Sequence, residues 1–266
     1  MRVMTHRLWA AGALLAALAC APALHAQGGP PLLTTDPGTP GNANWEINVG
    51  AMSTHTSAGT SSQLPQLDVN FGVGDRVQLT YQQSYVVQTG GSPAGAVSGY
   101  GNALLGVKWR FVDEGEGGWQ VSAFPQFETA GSARAQRDGI AIDGPRVLLP
   151  LEVGKRIGPL DVNLEAGYYV ARNGPEERFV GLALGRQVNA RFELDGEVYA
   201  DRASGAPPND TTLDVGFRYR LHPAFILLGM AGRSIAGNGG DHVQFMGYLG
   251  VQVLLSDYGR SLQHAP

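Results

Sequence analysis

Apolar and polar residues alternate in twelve short stretches of this chain. In the plainest, Phe192, Leu194, Gly196, Val198 and Ala200 fall on one side of an extended backbone, with Arg191, Glu193, Asp195, Glu197, Tyr199 and Asp201 on the other. A repeat of two is the signature of a β-strand whose faces meet different surroundings. In the first stretch Trp45, Ile47, Val49 and Ala51 oppose Glu46, Asn48 and Gly50. In the second, Leu67, Val69 and Phe71 oppose Gln66, Asp68 and Asn70. The third sets Val77, Leu79, Tyr81, Tyr85 and Val87 against Gln78, Thr80, Gln82 and Ser84, and the fourth sets Leu105, Val107, Trp109 and Phe111 against Asn102, Lys108 and Arg110. The fifth to seventh follow over 119–127, 147–153 and 160–170, and the tenth and twelfth over 212–220 and 243–253. Only the eighth, near 178–187, and the eleventh, near 225–233, carry apolar residues in both phases.

The joins alternate too. Those near Gly74, Gly115, Gly158, Asn189 and Pro223 are mostly tight, and those near Ser57, Gly91, Arg137, Pro175, Pro207 and Gly237 are mostly longer and more polar. Tight turns and long loops then belong to opposite rims. This pattern predicts an all-β fold: a single antiparallel up-and-down transmembrane β-barrel of about twelve strands over 45–255, with short periplasmic turns, longer extracellular loops and both termini periplasmic. Trp45, Phe71, Trp109, Phe111, Trp119, Phe192, Phe217, Tyr219 and Phe225 lie near strand ends on the tight-turn rim, where membrane-interface aromatics belong. Tyr85, Phe127, Tyr168 and Phe245 lie near the other. A soluble exported sandwich, the competing architecture, would gather such rings at mid-strand.

Composition changes the picture in three ways. Glycine at 38 residues and a near-neutral mean hydropathy of −0.09 fit a barrel, because a barrel strand shows lipid only every second residue. Residues 1–26 carry Arg2 and Arg7, an apolar run and small residues around Ala23 and Ala26, which is the layout of a secretory signal peptide. Cleavage there would remove the single cysteine, Cys20, and with it any disulfide. Ala17, where a lipoprotein signal usually has Leu, argues against lipidation of Cys20. Removing a signal with two arginines and no acid takes the formal charge from −4 to −6, which excludes nucleic acid as a natural partner. Outer-membrane lipid and the insertion machinery are the partners expected. Residues 27–44, rich in Pro and Gly, read as an extended periplasmic leader able to constrict or plug the barrel, and 256–266 as a tail.

Candidate chemistry lies on the polar faces. Glu46, Asp68, Glu128, Glu152, Asp161, Glu165, Glu193, Asp195, Glu197 and Asp214 would face the lumen beside Lys108, Arg110, Arg146, Arg191, Arg218 and Arg220. They form either a permeation path whose charges orient solutes or a ladder of cross-strand ion pairs. An enzyme would need a nucleophile at the rim, for which Ser234 and His242 are the nearest candidates, with no third partner close in sequence. His55 and His222 are isolated, and Asp201 with Asp210, or Asp138 with Asp143, offers loop carboxylates at most. No cofactor or metal is expected, and catalysis is not.

Residues 31–40 (PLLTTDPGTP) leading into Trp45-Glu46-Ile47-Asn48, then Gly74-Asp75-Arg76-Val77-Gln78-Leu79, then Gly99-Tyr100-Gly101-Asn102 running into 105–111 (LGVKWRF), carry a resemblance. In these segments the chain resembles the outer-membrane transporter family named for the MetA pathway of phenol degradation. The resemblance covers nearly all of 27–266. It implies an outer-membrane barrel that passes small, often hydrophobic or aromatic molecules. One departure is that many such barrels end on an aromatic residue of the last strand, whereas this chain runs on past Leu255. A lipid-acting barrel enzyme and a closed structural barrel remain the alternatives.

Overall fold

The computed structural model describes residues 29–90, 95–171, 177–203, 209–238 and 242–256. The signal peptide expected at 1–26 with Cys20, the tail from 257, and the tips of several long loops lie outside the described residues. Fourteen strand segments form one antiparallel sheet: β1 (Trp45–His55), β2 (Thr60–Val73), β3 (Val77–Thr89), β4 (Val97–Tyr100), β5 (Leu104–Asp113), β6 (Gln120–Ala123), β7 (Gln126–Glu128), β8 (Arg146–Ile157), β9 (Leu160–Ala171), β10 (Glu177–Asn189), β11 (Phe192–Ala203), β12 (Asn209–His222), β13 (Phe225–Asn238) and β14 (Phe245–Leu255). The last strand pairs with the first from Trp45↔Leu255 to His55↔Phe245, so the sheet closes on itself. β4 with β5 makes one wall, and β6 with β7 another. The barrel is therefore the closed twelve-stranded up-and-down one that the alternation predicts.

Both broken walls have a local cause. Pro125, between β6 and β7, has no N–H to give the ladder. There Val107 N donates to Pro125 O at 3.0 Å and Phe124 N to Pro150 O at 3.1 Å, which keeps neighbouring backbone paired across the break. Between β4 and β5, Asn102 leaves the ladder and bonds the outer loop instead, donating to Thr129 O and accepting from Ile142 N at 3.0 Å. That loop contains a five-residue helix, Ala133–Arg137, capped by Ser132. It packs Ala135 and Ile140 against Val86 at the barrel mouth.

Burial runs opposite to that of a water-soluble protein. Outward Leu105, Val215 and Leu249 are 51, 55 and 60 % exposed, while inward Asn48, Glu152, Asp214 and Gln252 are at most 1 % exposed. Among the described residues no second sheet covers the apolar side chains, so the architecture is a closed barrel and not a sandwich. An exterior of this kind, over a ladder with no free edge, is what hydrocarbon surroundings require.

The leader is not free. From Gly29 onward it turns back inside the barrel, Gly29 N donating to Thr34 O at 2.6 Å, and leaves along the tight-turn rim, where Thr39 Oγ1 donates to Asp75 O at 2.9 Å. Its position explains the two strands whose periodicity was mixed. β10 turns Phe179, Gly181, Ala183 and Gly185 inward and Val180, Leu182 and Leu184 outward, so the inner phase is mostly small. A Cβ on Gly181 would lie 2.0 Å from Thr34 Oγ1, and one on Gly154 of β8 would lie 2.9 Å from Pro37. β13 turns Ile226, Leu228 and Met230 inward, where with Ala183, Met246 and Tyr248 they bury Leu32 of the leader.

Candidate functional site: the barrel lumen

Most of the charged residues assigned to the inner face are brought together there. Asp68, Lys108, Glu152, Glu165, Glu193, Asp195, Glu197, Asp214 and Arg218 are all buried inside the barrel. Others sit at its ends. Arg156 and Asp161 pair at 2.8 Å on the tight-turn rim, Arg110 donates there to Asp75 O at 2.7 Å, and Arg220 is half-buried nearby. Arg191 lies in the turn between β10 and β11 and is exposed, because β11, whose phase would turn it inward, begins only at Phe192. Toward the long-loop rim, Arg146 holds Glu128 at 2.5 Å and Glu177 at 2.7 Å, with its guanidinium 4.0 Å from the Tyr169 ring centroid.

A ladder of cross-strand ion pairs accounts for little of the buried charge. Lys108 pairs with Glu152 at 3.1 Å and Arg218 with Asp195 at 3.5 Å. Other carboxylates serve the leader. Glu197 accepts from Leu33 N at 2.9 Å and Thr34 N at 2.5 Å, and Glu165 accepts from Thr35 N at 2.7 Å. Glu152 also accepts from the hydroxyls of Thr35 and Ser122. Lys108 donates to Asp36 O, and Arg218 Nη2 donates to Gly29 O at 3.3 Å. Charge-assisted bonds in a water-poor interior are about twice as strong as neutral ones, so this wall of β8 to β12 acts as a receptor for the leader backbone. Residue types alone do not reveal that role. The small inner phase of β10 was the legible trace of it.

The opposite wall carries amides. Asp68 Oδ2 accepts from Asn48 at 3.0 Å and Asn70 at 3.1 Å, its Oδ1 accepts from Gln82 at 3.3 Å, and Gln78 and Thr80 both donate to Asn70 Oδ1. Among the described residues, two cavities follow this side and a third opens at the tight-turn rim between the leader and β5, β6, β8 and β9. A chamber of ≈ 290 Å³ toward the long-loop rim is lined by amides such as Gln63, Gln66 and Asn102 and by Leu67, Leu104, Ile140 and Tyr248. A chamber of ≈ 540 Å³ at the tight-turn rim is lined by Arg110, Arg156 and Asp161. Between them lies a neck of ≈ 50 Å³, bounded by the leader on one side and by Glu46, Asp68, Gln78 and Lys108 on the other.

The enzyme candidates do meet. Ser234 Oγ donates to Asp210 Oδ2 at 2.5 Å, and His242 Nδ1 lies 3.8 Å from Asp210 Oδ1. The carboxylate, rather than the imidazole, holds the hydroxyl, which differs from the serine–histidine contact of a hydrolase triad. Among the described residues, no three metal-ligating side chains converge.

At the tight-turn rim, aromatic rings pair across strands, Trp45 with Phe71 at 4.6 Å and Phe192 with Phe217 at 6.2 Å and with Tyr219 at 6.5 Å, and along β5, Trp109 with Phe111 at 5.5 Å. Trp119 and Phe225 are also exposed near that rim.

No family model matches the chain. No curated protein matches it by sequence. Among solved structures it is similar to the COG4313 outer membrane channel from Pseudomonas putida F1, with a TM-score of 0.62 and 15% identity over 83% of this chain and 98% of that one. It is also similar to the NanC porin (TM-score 0.57, 10% identity, 80% of this chain and 100% of that one) and the KdgM porin (TM-score 0.52, 12% identity, 78% and 98%). At these identities the likeness is one of fold.

Proposed function

We propose that the chain is an outer-membrane channel for passive passage of small molecules, exported by its signal peptide and seated by the insertion machinery with both termini in the periplasm. The observation that carries this reading is a polar lumen, inside an apolar exterior, with a chamber at each rim and a narrow neck between them. The three structures it resembles are an outer membrane channel and two porins, which supports the same class. A neck of ≈ 50 Å³ holds a few waters, so water and small ions pass beside the seated leader and larger solutes require the leader to shift. The outer chamber pairs amide donors with Leu67, Leu104, Ile140 and Tyr248, which suits a small hydrophobic or aromatic molecule bearing one polar group. That matches the permeant implied by the resemblance to the phenol-degradation transporters. Passage uses neither nucleotide nor bond chemistry.

The test is purification from outer membranes, comparison of gel mobility with and without boiling, and conductance of the same sample in a planar bilayer. A heat-sensitive band and a steady, small current are expected. Phenol should reduce that current at concentrations that leave the bare bilayer unchanged. Failure to fractionate with outer membranes, or absence of current both with and without the leader, would overturn the reading.

A further inference from the structure

The three cavities adjoin in succession beside the leader. The outer chamber and the neck share Pro30, Asp68 and Gln82, and the neck and the inner chamber share Asp36, Gly38 and Thr39. None of Glu152, Glu165, Glu193, Asp195, Glu197 and Asp214 lines any of the three. The densest charge in the barrel therefore lies off this route. Building on the channel reading, we propose that small solutes pass the neck between the leader and the β1–β5 wall, and that Asp68, with Glu46 beside it, makes the neck select cations over anions.

Asp68 is 6 % exposed, and every donor that reaches its carboxylate is a neutral amide, from Asn48, Asn70 and Gln82. Amides hold a carboxylate in place without cancelling its charge. Glu46 Oε1 takes the other amide proton of Asn48 at 3.2 Å, so the two acids share one neutral scaffold. The cation of the neck, Lys108, is already committed to Glu152 at 3.1 Å and to the leader carbonyl at Asp36. The neck thus keeps a net negative charge. A second observation points to the same ligand: Asn48, 1 % exposed and lining the outer chamber next to Asp68, has an Oδ1 that accepts no hydrogen bond among the described residues. A carboxylate and a spare carbonyl oxygen together replace part of the hydration shell of a small cation, whereas an anion meets only repulsion there. In so narrow a space, bounded by protein, the field is weakly screened.

The experiment is the reversal potential of the full-length mature protein in a planar bilayer under a potassium chloride gradient. The wild-type protein should prefer potassium, and Asp68→Asn should lower the cation-to-anion permeability ratio by about fivefold, the scale of one unit charge near the ion path. Glu193→Gln, which removes a buried carboxylate off the route, should leave the ratio where it was. Gln82→Cys supplies an independent reading: a cationic methanethiosulfonate added from the loop side should block the current roughly tenfold faster than an anionic one. This second variant decides the matter if Asp68→Asn loses the heat-sensitive band. A current with no cation preference, or one indifferent to Asp68 and to reagent charge, overturns this inference and leaves the channel reading standing. Absence of any current overturns both.

Discussion

A carboxylate inside a membrane-spanning wall is stable only when donors meet it, and Glu197 shows how this chain arranges that. Its two oxygens take the N–H groups of Leu33 and Thr34, so the acid on β11 and the backbone of the leader satisfy one another. Hydrogen bonds to a charged group contribute roughly 1.5–3 kcal/mol each, and Glu197→Gln keeps one acceptor oxygen but loses the charge. The leader amides at 33 and 34 are then expected to exchange with deuterium roughly tenfold faster or more, read by hydrogen-exchange mass spectrometry in micelles. Gly181 contributes by having no side chain. Gly181→Val places atoms where Thr34 Oγ1 sits 2.0 Å from the Cβ position, an overpacking that costs about 1–3 kcal/mol and is most easily relieved by moving the leader. Higher single-channel conductance with an unchanged heat-sensitive band is the expected outcome. Neither role could be read from residue type, because an inward Glu on a barrel strand has the same local pattern whether it faces water or a peptide.

Among the elements, the leader and the two mixed-phase strands form one unit. β13 is apolar on both faces because its outer face meets lipid and its inner face meets Leu32, while β10 is small inside because the leader backbone passes there. Deleting residues 29–40 should therefore leave the ladder closed, raise the conductance severalfold, and uncover Ile226, Leu228 and Met230 to a fluorescent dye that binds apolar surface. An unchanged current in that variant would show that the leader does not limit passage. The outer face of the strands makes its own prediction. Val215, 55 % exposed near the middle of β12, should tolerate Leu, but Val215→Arg should cost about 2–4 kcal/mol in reversible folding into lipid vesicles, measured by guanidinium titration. A soluble protein would accept the same arginine at little cost.

For the molecule as a whole, closure is the dominant constraint, since hydrocarbon offers no partner to an unpaired backbone N–H or C=O. Strand number, the phase of every strand but the two mixed ones, the rims and the closed topology were legible because alternation is local: a residue in an alternating stretch declares by its chemistry which face it occupies. The break at Pro125 was legible in principle, a proline being unable to donate to a central ladder, whereas the break at Asn102 depends on a loop partner forty residues away. Among the lumen charges, the sequence placed Asp68, Glu152 and Glu197 on the inner face but did not separate the acid beside the neck from the acids that grip the leader. Alternation by itself determined a closed sheet with an apolar outside and a charged inside, because period-two burial follows from strand geometry one residue at a time. The sequence offered a Pro- and Gly-rich leader able to constrict or plug that inside, and tertiary structure alone decided where the leader seats and which wall it leaves open. Those outcomes depend on which side chains, distant in sequence, present acceptors to one backbone within a space that the leader narrows to a neck.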